Sequence, residues 1–498
     1  MRKEEKTMKN QLGMNPYLPG TEYVPDGEPH IFGDRLYVYG SHDRFNGSGY
    51  CQEPYVCWSA PTDDLTDWRY EGVILEKGQD PLDPDGDKNY YAPDAVQGPD
   101  GRYYLYYSIE ESSVISVAVC DTPAGAYHFL GHVSDKEGRM LGMRENDPSQ
   151  FDPAVLADDD GKVYLYSGNC LPVPGLDPGN RKGSFVCELE PDMVTMKTEQ
   201  KLLTSGGENC FAENPFFEAS SIRKFNGKYY FIYSPLPNVH NLCYAVSDYP
   251  DRDFRYQGVL VSNADIFDGQ EETYALTYWG NNHGSLVEVN GEYYVFYHRH
   301  TNKSGWNRQG CAEKIRMNTD GTFRQAELTS GGLRGVLPAK ATYSCNAACH
   351  LRKKNMAPYA PFQFTAFDEN DPYLTQEEGT VNQYIANFRD GSRTDYRYFS
   401  FDGTENTVRF TCRGDGKGEL VLCDLKENRE FARIEVTPTE KWSEFSGEIT
   451  GMTRDKITGG TPNEAPGAGG QLKGIVSLGV TYRGTGAVDL LDFTFEMA

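Results

Sequence analysis

Four carboxyl side chains and one imidazole recur at regular intervals through the first two thirds of the sequence. The five residues, each of which precedes a glycine-led aromatic segment, are Asp26, Asp94, Asp152, Glu218 and His283. Carboxyl groups that lie close together raise one another's pKa, and two carboxyls with well-separated pKa values can act as an acid and a base. If the fold gathers these side chains, the sequence predicts general acid/base chemistry.

The aromatic segments define a repeat that runs through the same region. Each segment is a glycine turn followed by a strand rich in aromatic and β-branched residues. Their anchor tyrosines, 60 to 67 residues apart, are Tyr37, Tyr104, Tyr164, Tyr230 and Tyr294. A regular period indicates a repeat architecture, and about 60 residues accommodate the four short strands of one propeller blade. The sequence therefore predicts an all-β fold with a five-bladed β-propeller, in which equivalent residues of successive blades converge around one axis.

The chain is too long for a single hydrophobic core, because it has 498 residues and single cores stop growing at about 250–300 residues. The repeat predicts a propeller over residues 15–335, followed by a connector at 336–357. Residues 358–498 contain short alternating strands without the five-fold pattern, and this spacing is typical of a β-sandwich. Within this part, the glycine- and proline-rich residues 458–471 are expected to form a mobile loop.

The composition argues against two classes of partner. The net charge is −25, whereas binding to nucleic acid or an anionic membrane depends on Lys and Arg, so we expect neither. No apolar run approaches the length of a transmembrane helix. The charged N-terminus lacks the apolar region of a signal peptide, and the 12 cysteines show no disulfide framework. We therefore expect a cytoplasmic location, although a secreted protein trimmed of its signal peptide would have the same features.

Three stretches of the repeat carry a family resemblance. Residues 23–32 (YVPDGEPHIF), 151–162 (FDPAVLADDDGK) and 218–230 (EASSIRKFNGKYY) resemble, in order, the three acidic motifs of glycoside hydrolase family 43. That family is a five-bladed β-propeller that acts on arabinose- and xylose-containing polysaccharides. The resemblance covers roughly residues 15–330, and the three motifs are in phase with the repeat.

The resemblance implies a role for each acidic motif. Asp26 matches the general base that activates water, Asp152 matches the acid that orients the proton donor and tunes its pKa, and Glu218 matches the general acid. The family inverts the anomeric configuration, which requires two carboxyls about 6.5–9.5 Å apart with a water molecule between them. The resemblance implies no required cofactor.

Two departures from the family pattern leave alternatives open. The usual D-P-x-P reads Asp26-Gly-Glu-Pro29 here, so Glu28 is a rival for the base. The usual W-A-P-D has Tyr91 in place of its tryptophan, and a tyrosine can still stack on a sugar face. Asp94 in the same motif is expected to bind substrate or, alternatively, to cap backbone amides as a turn carboxylate.

Three further residues are candidates for the substrate site. His283 matches a family histidine near the propeller axis that supports a bound calcium ion or water, although a lone histidine is also a common core residue. Arg308 resembles a family arginine that reaches the sugar in the innermost subsite, with a surface arginine as the alternative. Trp279 is expected to line the pocket or to be buried in packing. A structural Ca²⁺ at His283 is therefore possible, whereas the acidic run ending at Gly161 is better explained as a β-turn.

The leading functional hypothesis is an inverting exo-glycosidase, either an α-L-arabinofuranosidase or a β-xylosidase, that acts on arabinoxylan- or arabinan-derived oligosaccharides. The alternatives are an endo-arabinanase of the same family, a non-catalytic glycan-binding propeller, and a retaining fructan-active propeller, which would use a nucleophile and a closer carboxyl pair. The C-terminal sandwich resembles a family 6-like carbohydrate-binding module, in which the sequence identifies no sugar-binding residue, and it could instead brace the propeller.

Overall fold

The computed structural model describes most of the chain. The described residues are 12–170, 183–203, 211, 214–266, 276–277, 280–355, 368–454 and 472–497. Within these ranges the regular structure is almost entirely β, with two short 3₁₀ turns at Gly332–Arg334 and Cys345–Ala347. No helix in this part of the chain is long and apolar enough to cross a membrane, and its cysteines are all free thiols.

The first part of the chain forms five antiparallel four-stranded sheets, each with its strands in sequence order. Blade 1 contains β1 (Glu28–Phe32), β2 (Arg35–Tyr39), β3 (Tyr55–Pro61) and β4 (Arg69–Leu75). Blade 2 contains β5 (Tyr90–Gln97), β6 (Tyr103–Ile109), β7 (Ile115–Cys120) and β8 (His128–His132). Blade 3 contains β9 (Ala154–Ala157), β10 (Val163–Ser167), β11 (Phe185–Leu189) and β12 (Lys201–Leu202). Blade 4 contains β13 (Phe216–Phe225), β14 (Lys228–Pro235), β15 (Asn241–Ser247) and β16 (Arg255–Ser262). Blade 5 contains β17 (Leu286–Val289), β18 (Glu292–His300), β19 (Arg308–Met317) and β20 (Phe323–Arg324).

The predicted glycine turns join the first two strands of each blade. In blade 1, for example, Phe32 pairs with Arg35 across the turn, and Gly33 has φ +65°. Left-handed backbone of this kind favours glycine, which has no Cβ to clash. The aromatic strands that follow these turns are buried and pack against the neighbouring blades, because tyrosine and β-branched side chains suit a half-buried pleated surface. The five-bladed propeller predicted from the sequence is therefore confirmed.

The ring closes between the first and last blades. Gly27, just before β1, forms a parallel bridge with Gly284, just before β17. The N-terminal segment also crosses onto blade 5, where the backbone N–H of Tyr17 donates to the carbonyl of Gly310 at 3.2 Å. The residues just before the first strands of blades 1 and 5 are therefore hydrogen-bonded neighbours.

The C-terminal part is a single curled sheet of twelve strands. Its strands are β21 (Leu337–Pro338), β22 (Thr342–Ser344), β23 (His350–Arg352), β24 (Tyr373–Gln376), β25 (Gln383–Arg389), β26 (Arg393–Phe401), β27 (Thr407–Gly414), β28 (Lys417–Asp424), β29 (Arg429–Val436), β30 (Thr439–Arg454), β31 (Gly474–Thr485) and β32 (Ala487–Glu496). Strand β30 pairs with β27 along its first part and with β29 along its second. The sheet therefore folds over at β30 and encloses one core, as expected of a β-sandwich.

The segment expected to be a connector contributes strands to this sheet. β21 and β23 pair with β26, and β22 pairs with β32. These strands were not predicted, because segments of only two or three residues show no periodicity. The predicted mobile loop at 458–471 lies outside the described residues.

Candidate active site

The candidate acidic residues lie where the inner strands begin. Asp26 precedes β1, Asp152 precedes β9, and Glu218 lies near the start of β13. Asp26, Asp152 and Ala219 have positive φ angles of 58°, 45° and 67°, and the pairing register of β13 with β14 shifts on both sides of Glu218. Non-glycine residues rarely adopt positive φ, and such residues cluster at functional sites. The irregular backbone aims these side chains at the axis instead of into the blade interfaces.

Asp26 is buried and paired with two basic groups. Arg308 Nη1 donates to both carboxylate oxygens of Asp26, at 2.9 and 3.0 Å, and Nδ1 of His298 lies 3.1 Å from Oδ1. Burial by itself would raise the pKa of Asp26, but Arg308 and His298 outweigh it and hold this pKa well below its usual range. Asp26 is therefore an ionised carboxylate, as a general base must be.

Glu218 occupies a very different electrostatic environment. Burial and the negative charge of Asp26 raise the pKa of Glu218 to about 7, against the opposing effect of the amide of Asn281. That amide donates to Glu218 Oε1 at 3.2 Å. Glu218 is therefore protonated up to about neutral pH, as a general acid must be.

Asp152 is held beside Glu218. Its Oδ2 accepts a hydrogen bond from the backbone N–H of Ala219 at 2.9 Å. Burial, followed by the charges of Glu218 and Asp26, raises the pKa of Asp152 well above its usual value. Asp152 therefore couples electrostatically to Glu218 and fixes the backbone that carries it.

His283 lies among three carboxyl groups. Its Nδ1 is 4.0 Å from Asp26 Oδ1 and 3.8 Å from Asp152 Oδ2, and its Nε2 is 3.9 Å from Glu28 Oε1. Burial lowers the pKa of His283 to about 4, so the imidazole is neutral near pH 7. The structure thus gathers Asp26, Asp152 and His283 at one point. Asn281 contacts Glu218 through its amide, and its backbone carbonyl lies 2.8 Å from Nε2 of His298, the partner of Asp26.

Glu28 and Asp94 lie in a second ionic group. Glu28 Oε2 binds Arg223 Nη2, and Asp94 Oδ1 lies 2.6 Å from Nε2 of His30. Burial, followed by the charge of Asp94, raises the pKa of Glu28 to about 8. Asp94 also accepts hydrogen bonds from the backbone N–H groups of Ala95 and Val155. These contacts are of the kind expected if Asp94 caps backbone amides, which was the alternative to substrate binding.

Arg308 is buried, not exposed, and its guanidinium forms ion pairs with two carboxylates. Besides Asp26, it binds Asp43, to which Nε and Nη2 each donate at 2.9 Å. Asp43 in turn accepts from the backbone N–H of Cys51 at 2.9 Å. The structure therefore directs the guanidinium of Arg308 to two carboxylates of blade 1, although the sequence did not single out Asp43.

Aromatic residues stand around the charged group. The ring of Tyr50 lies under the guanidinium of Arg308, with 4.9 Å between ring centroid and Cζ, and 5.9 Å from the ring of Trp306. Burial and the nearby charge of Glu218 contribute to raising the pKa of Tyr50 to about 12. Tyr91 lies 5.6 Å from Phe151, ring centroid to ring centroid. Trp279 lies outside the described residues.

Sequence reasoning missed four of these residues: Asp43, Tyr50, Asn281 and His298. Asn281 precedes the predicted His283 by two positions, and His298 is a polar residue within an aromatic strand, so both carried a weak signal. Asp43 and Tyr50 lie in the loop between β2 and β3, where no periodicity marks a residue as facing the axis.

Two groups of side chains contain residue types that bind cations. The ligand atoms of Glu28, His30 and Asp94 lie within 4.8 Å of one another, but Arg223 already supplies positive charge there, with Nη2 3.5 Å from Nε2 of His30. A divalent cation does not fit that group. Beside His283, in contrast, Glu28 Oε1 is buried and has no hydrogen-bond partner among the described residues. It lies 3.9 Å from His283 Nε2, so this oxygen is left with a hydrogen bond to offer to a water molecule beside His283.

Comparisons with known proteins extend this picture. The family described as "Glycosyl hydrolases family 43" matches residues 22–323. A protein named "Xylosidase/arabinosidase" from Thermoclostridium stercorarium is 44% identical over 491 residues, which are 96% of this chain and 98% of the relative. A protein of the same name from Bacteroides ovatus is 29% identical over 61% of this chain and 95% of its own length.

One solved structure is similar across both parts of the chain. It is a glycoside hydrolase family 43 arabinoxylan arabinofuranohydrolase from Bacillus subtilis in complex with cellotetraose. It is 19% identical, with a TM-score of 0.50, and the match covers 98% of this chain and 100% of the other. At this identity the similarity supports the fold, a propeller followed by a β-sandwich.

Proposed function

The chain belongs to glycoside hydrolase family 43, and we propose that it is an inverting exo-acting enzyme. Its substrates in this proposal are arabinoxylan- or arabinan-derived oligosaccharides, from which it releases arabinofuranosyl or xylosyl residues. The names of its relatives, which combine both activities, support this substrate class. An endo-arabinanase remains the alternative within the family.

One observation carries the mechanism: in this buried site the pKa of one carboxyl is lowered and that of another is raised. Arg308 and His298 hold the pKa of Asp26 far below neutrality, whereas burial raises the pKa of Glu218 to about 7. Carboxyls whose environments separate their pKa values in this way are suited to act as a base and an acid at the same pH.

In the proposed reaction, Asp26 accepts a proton from a water molecule while that water attacks the anomeric carbon. The bond between the anomeric carbon and the glycosidic oxygen breaks, and Glu218 donates its proton to the departing oxygen. The products are a sugar of inverted configuration and a shortened oligosaccharide. Asp26 then returns its proton to solvent and Glu218 regains one, so that the site is restored.

Asp26 is the better candidate for the base than Glu28. The pKa of Glu28 is raised to about 8, and its Oε2 is occupied by Arg223 and by the hydroxyl of Ser221, at 3.1 Å in the latter case. A protonated carboxyl cannot accept a proton from water. We therefore assign Glu28 to the support of the axis and not to proton transfer.

The remaining side chains have binding and orienting roles in this proposal. Asp152 holds the backbone next to Glu218, and the rings of Tyr50 and Tyr91 supply apolar faces for a sugar. A calcium ion, which prefers oxygen ligands, would be held at His283 through water and would supply positive charge beside the carboxylates. The proposed reaction itself needs only the named side chains and water.

The test is hydrolysis of 4-nitrophenyl α-L-arabinofuranoside and 4-nitrophenyl β-D-xylopyranoside, with D26A as the control. We expect release of 4-nitrophenol from at least one glycoside, loss of release in D26A, and inverted configuration of the first-formed sugar by proton NMR. Retained configuration would contradict the assigned roles. Activity on linear arabinan, with none on either glycoside, would favour the endo-acting alternative.

A further inference from the structure

The C-terminal part of the chain contacts a loop that lies next to the candidate active site. This loop, residues 301–307, joins β18 to β19 and ends immediately before Arg308. It is closed by the backbone N–H and the hydroxyl of Thr301, which donate to the carbonyl of Asn307 at 2.9 and 2.8 Å. The conformation of the loop therefore sets where the backbone of Arg308 begins.

Strand β24 holds this loop from the C-terminal side. The hydroxyl of Thr375 donates to Asn302 Oδ1 at 2.9 Å, and the backbone N–H of Asn302 donates to the carbonyl of Leu374 at 2.7 Å. Thr375 is buried, with 6% of its surface exposed. Asn302 has a φ of 54°, a conformation that asparagine tolerates better than most residues.

Asn302 is also hydrogen-bonded to Asn307, the residue before Arg308. Its Nδ2 donates to Asn307 Oδ1 at 2.8 Å and to Asn46 Oδ1 at 2.6 Å. The side chain of Asn307 is buried and also donates to the carbonyl of Arg44 at 3.0 Å. An unbroken set of hydrogen bonds thus connects Thr375, on the C-terminal sheet, to the backbone on which Arg308 is mounted.

We propose that Thr375 and Asn302 are positioning residues through which the C-terminal sheet holds Arg308 in place. This inference rests on the proposed function, because it concerns the arginine that keeps the base ionised. It assigns to the C-terminal sheet a part in catalysis that is separate from any binding of carbohydrate.

A second contact on the same side supports the assignment. Gln309, which follows Arg308, donates through Nε2 to the carbonyl of Gly20 at 2.6 Å and to Gln383 Oε1 at 3.1 Å. Gln383, on β25, donates to the same carbonyl of Gly20. Residues on both sides of Arg308 are therefore bound to the C-terminal sheet, so its backbone has little freedom to move.

The test compares variants that interrupt the set at different atoms. T375V removes the hydroxyl donor while keeping the branched shape, and N302D replaces the amide that donates to Asn46 and Asn307. T375S keeps the hydroxyl and serves as the rescue variant. T411V is the matched control, because Thr411 donates to Asp492 at 2.6 Å within the same sheet and away from the loop.

We expect T375V and N302D to lower kcat/KM by about tenfold or more, since small displacements at a catalytic site are costly. We also expect the acid limb of their pH profiles to move to higher pH, because a loosened Arg308 lowers the pKa of Asp26 less. T375S and T411V should match the wild type in both measurements. A purely structural role would lower the melting temperature without moving the acid limb.

Wild-type kcat/KM and an unmoved acid limb in folded T375V would overturn the inference, as would an equal loss in T411V. If T375V does not fold, N302D alone decides by the same two readouts. A wild-type protein without glycosidase activity would instead count against the proposed function, so the two failures are distinguishable.

Discussion

Asp152 accepts a hydrogen bond from the backbone N–H of Ala219, the residue that follows the proposed acid. The contact spans 67 residues of sequence and links blade 3 to blade 4. Ala219 has φ +67°, and backbone in this region persists only where its surroundings enforce it. The carboxylate of Asp152 is the neighbour that enforces it here.

This contact predicts different outcomes for two substitutions of Asp152. D152A leaves the N–H of Ala219 buried and unpaired, and we expect kcat to fall by roughly 100-fold as Glu218 loses its orientation. D152N can still accept the hydrogen bond and should retain more activity than D152A. The measurement is kcat for both variants on the preferred 4-nitrophenyl glycoside, with melting temperatures as the control for folding. Equal loss in the two variants would show that the charge of Asp152, not the contact, matters.

The role of Glu218 predicts a dependence on the leaving group. E218Q cannot donate a proton, so hydrolysis of an oligosaccharide should fall by about 10²–10⁴-fold, which is the usual contribution of general acid catalysis. Hydrolysis of the 4-nitrophenyl glycoside should fall much less, because 4-nitrophenolate leaves without protonation. Comparing kcat/KM for the two substrates tests the assignment, and an equal loss on both would contradict it.

The amide of Asn281 predicts a shift in pH dependence. Its hydrogen bond lowers the pKa of Glu218, which is about 7 in its presence. Activity needs the protonated acid, so the basic limb of kcat/KM follows this pKa. N281A removes the lowering contribution and should move the basic limb to higher pH. The control is N318A, at an exposed turn where the amide of Asn318 donates to Thr322 Oγ1 at 2.9 Å; this variant should leave the limb unchanged.

The buried pair of Arg308 with Asp26 predicts a loss of stability that depends on pH. Removing one partner of a buried ion pair costs about 3–5 kcal/mol, so R308M should unfold at a markedly lower temperature than wild type. Because Arg308 depresses the pKa of Asp26, its stabilising contribution is present above the pKa of an unfolded aspartate, about 3.9, and is lost as the pH falls further. Thermal unfolding of both proteins at several pH values checks this, and a deficit that grows toward acid pH would contradict it.

Close packing at the ring closure predicts that G284A is poorly tolerated. A Cβ on Gly284 would lie 1.9 Å from the carbonyl oxygen of Phe296, so the backbone beside His283 must shift. Overpacking of this kind costs about 1–3 kcal/mol, occasionally more. We expect a lower melting temperature together with reduced activity. G131A is the control, because its added Cβ would only touch Val194 at 3.8 Å.

The sequence predicted the propeller because its signal is periodic. The glycine turn and the aromatic strand recur in every blade, so recognising them as a strand pair once predicts the same strand pair in all five blades. The same phase located Asp26, Asp152 and Glu218, since equivalent positions of successive blades must meet at the axis. Spacing therefore predicts the fold and the five candidate residues, and the family resemblance singles out the three acids among them.

What the sequence could not show is how these residues are paired. Arg308 contacts Asp43 and Asp26 across more than 260 residues of chain, and nothing in local pattern links such positions. The choice between Asp26 and Glu28 as the base likewise depends on contacts that the sequence does not show, because Asp26 pairs with Arg308 and Glu28 pairs with Arg223. Short strands such as β21 were missed because two residues carry no periodicity.

The pairing of Asp26 with Arg308 also has a consequence for the order of events during translation. Asp26 is made with the first blade and Arg308 with the last, 282 residues later. At roughly 5–20 residues per second, a ribosome needs roughly 14 to 56 seconds to cover that distance. Throughout this interval the nascent chain carries Asp26 without the arginine that keeps its carboxylate ionised once it is buried. On the proposed role of Asp26, we therefore expect hydrolytic activity to arise only after the last blade has emerged.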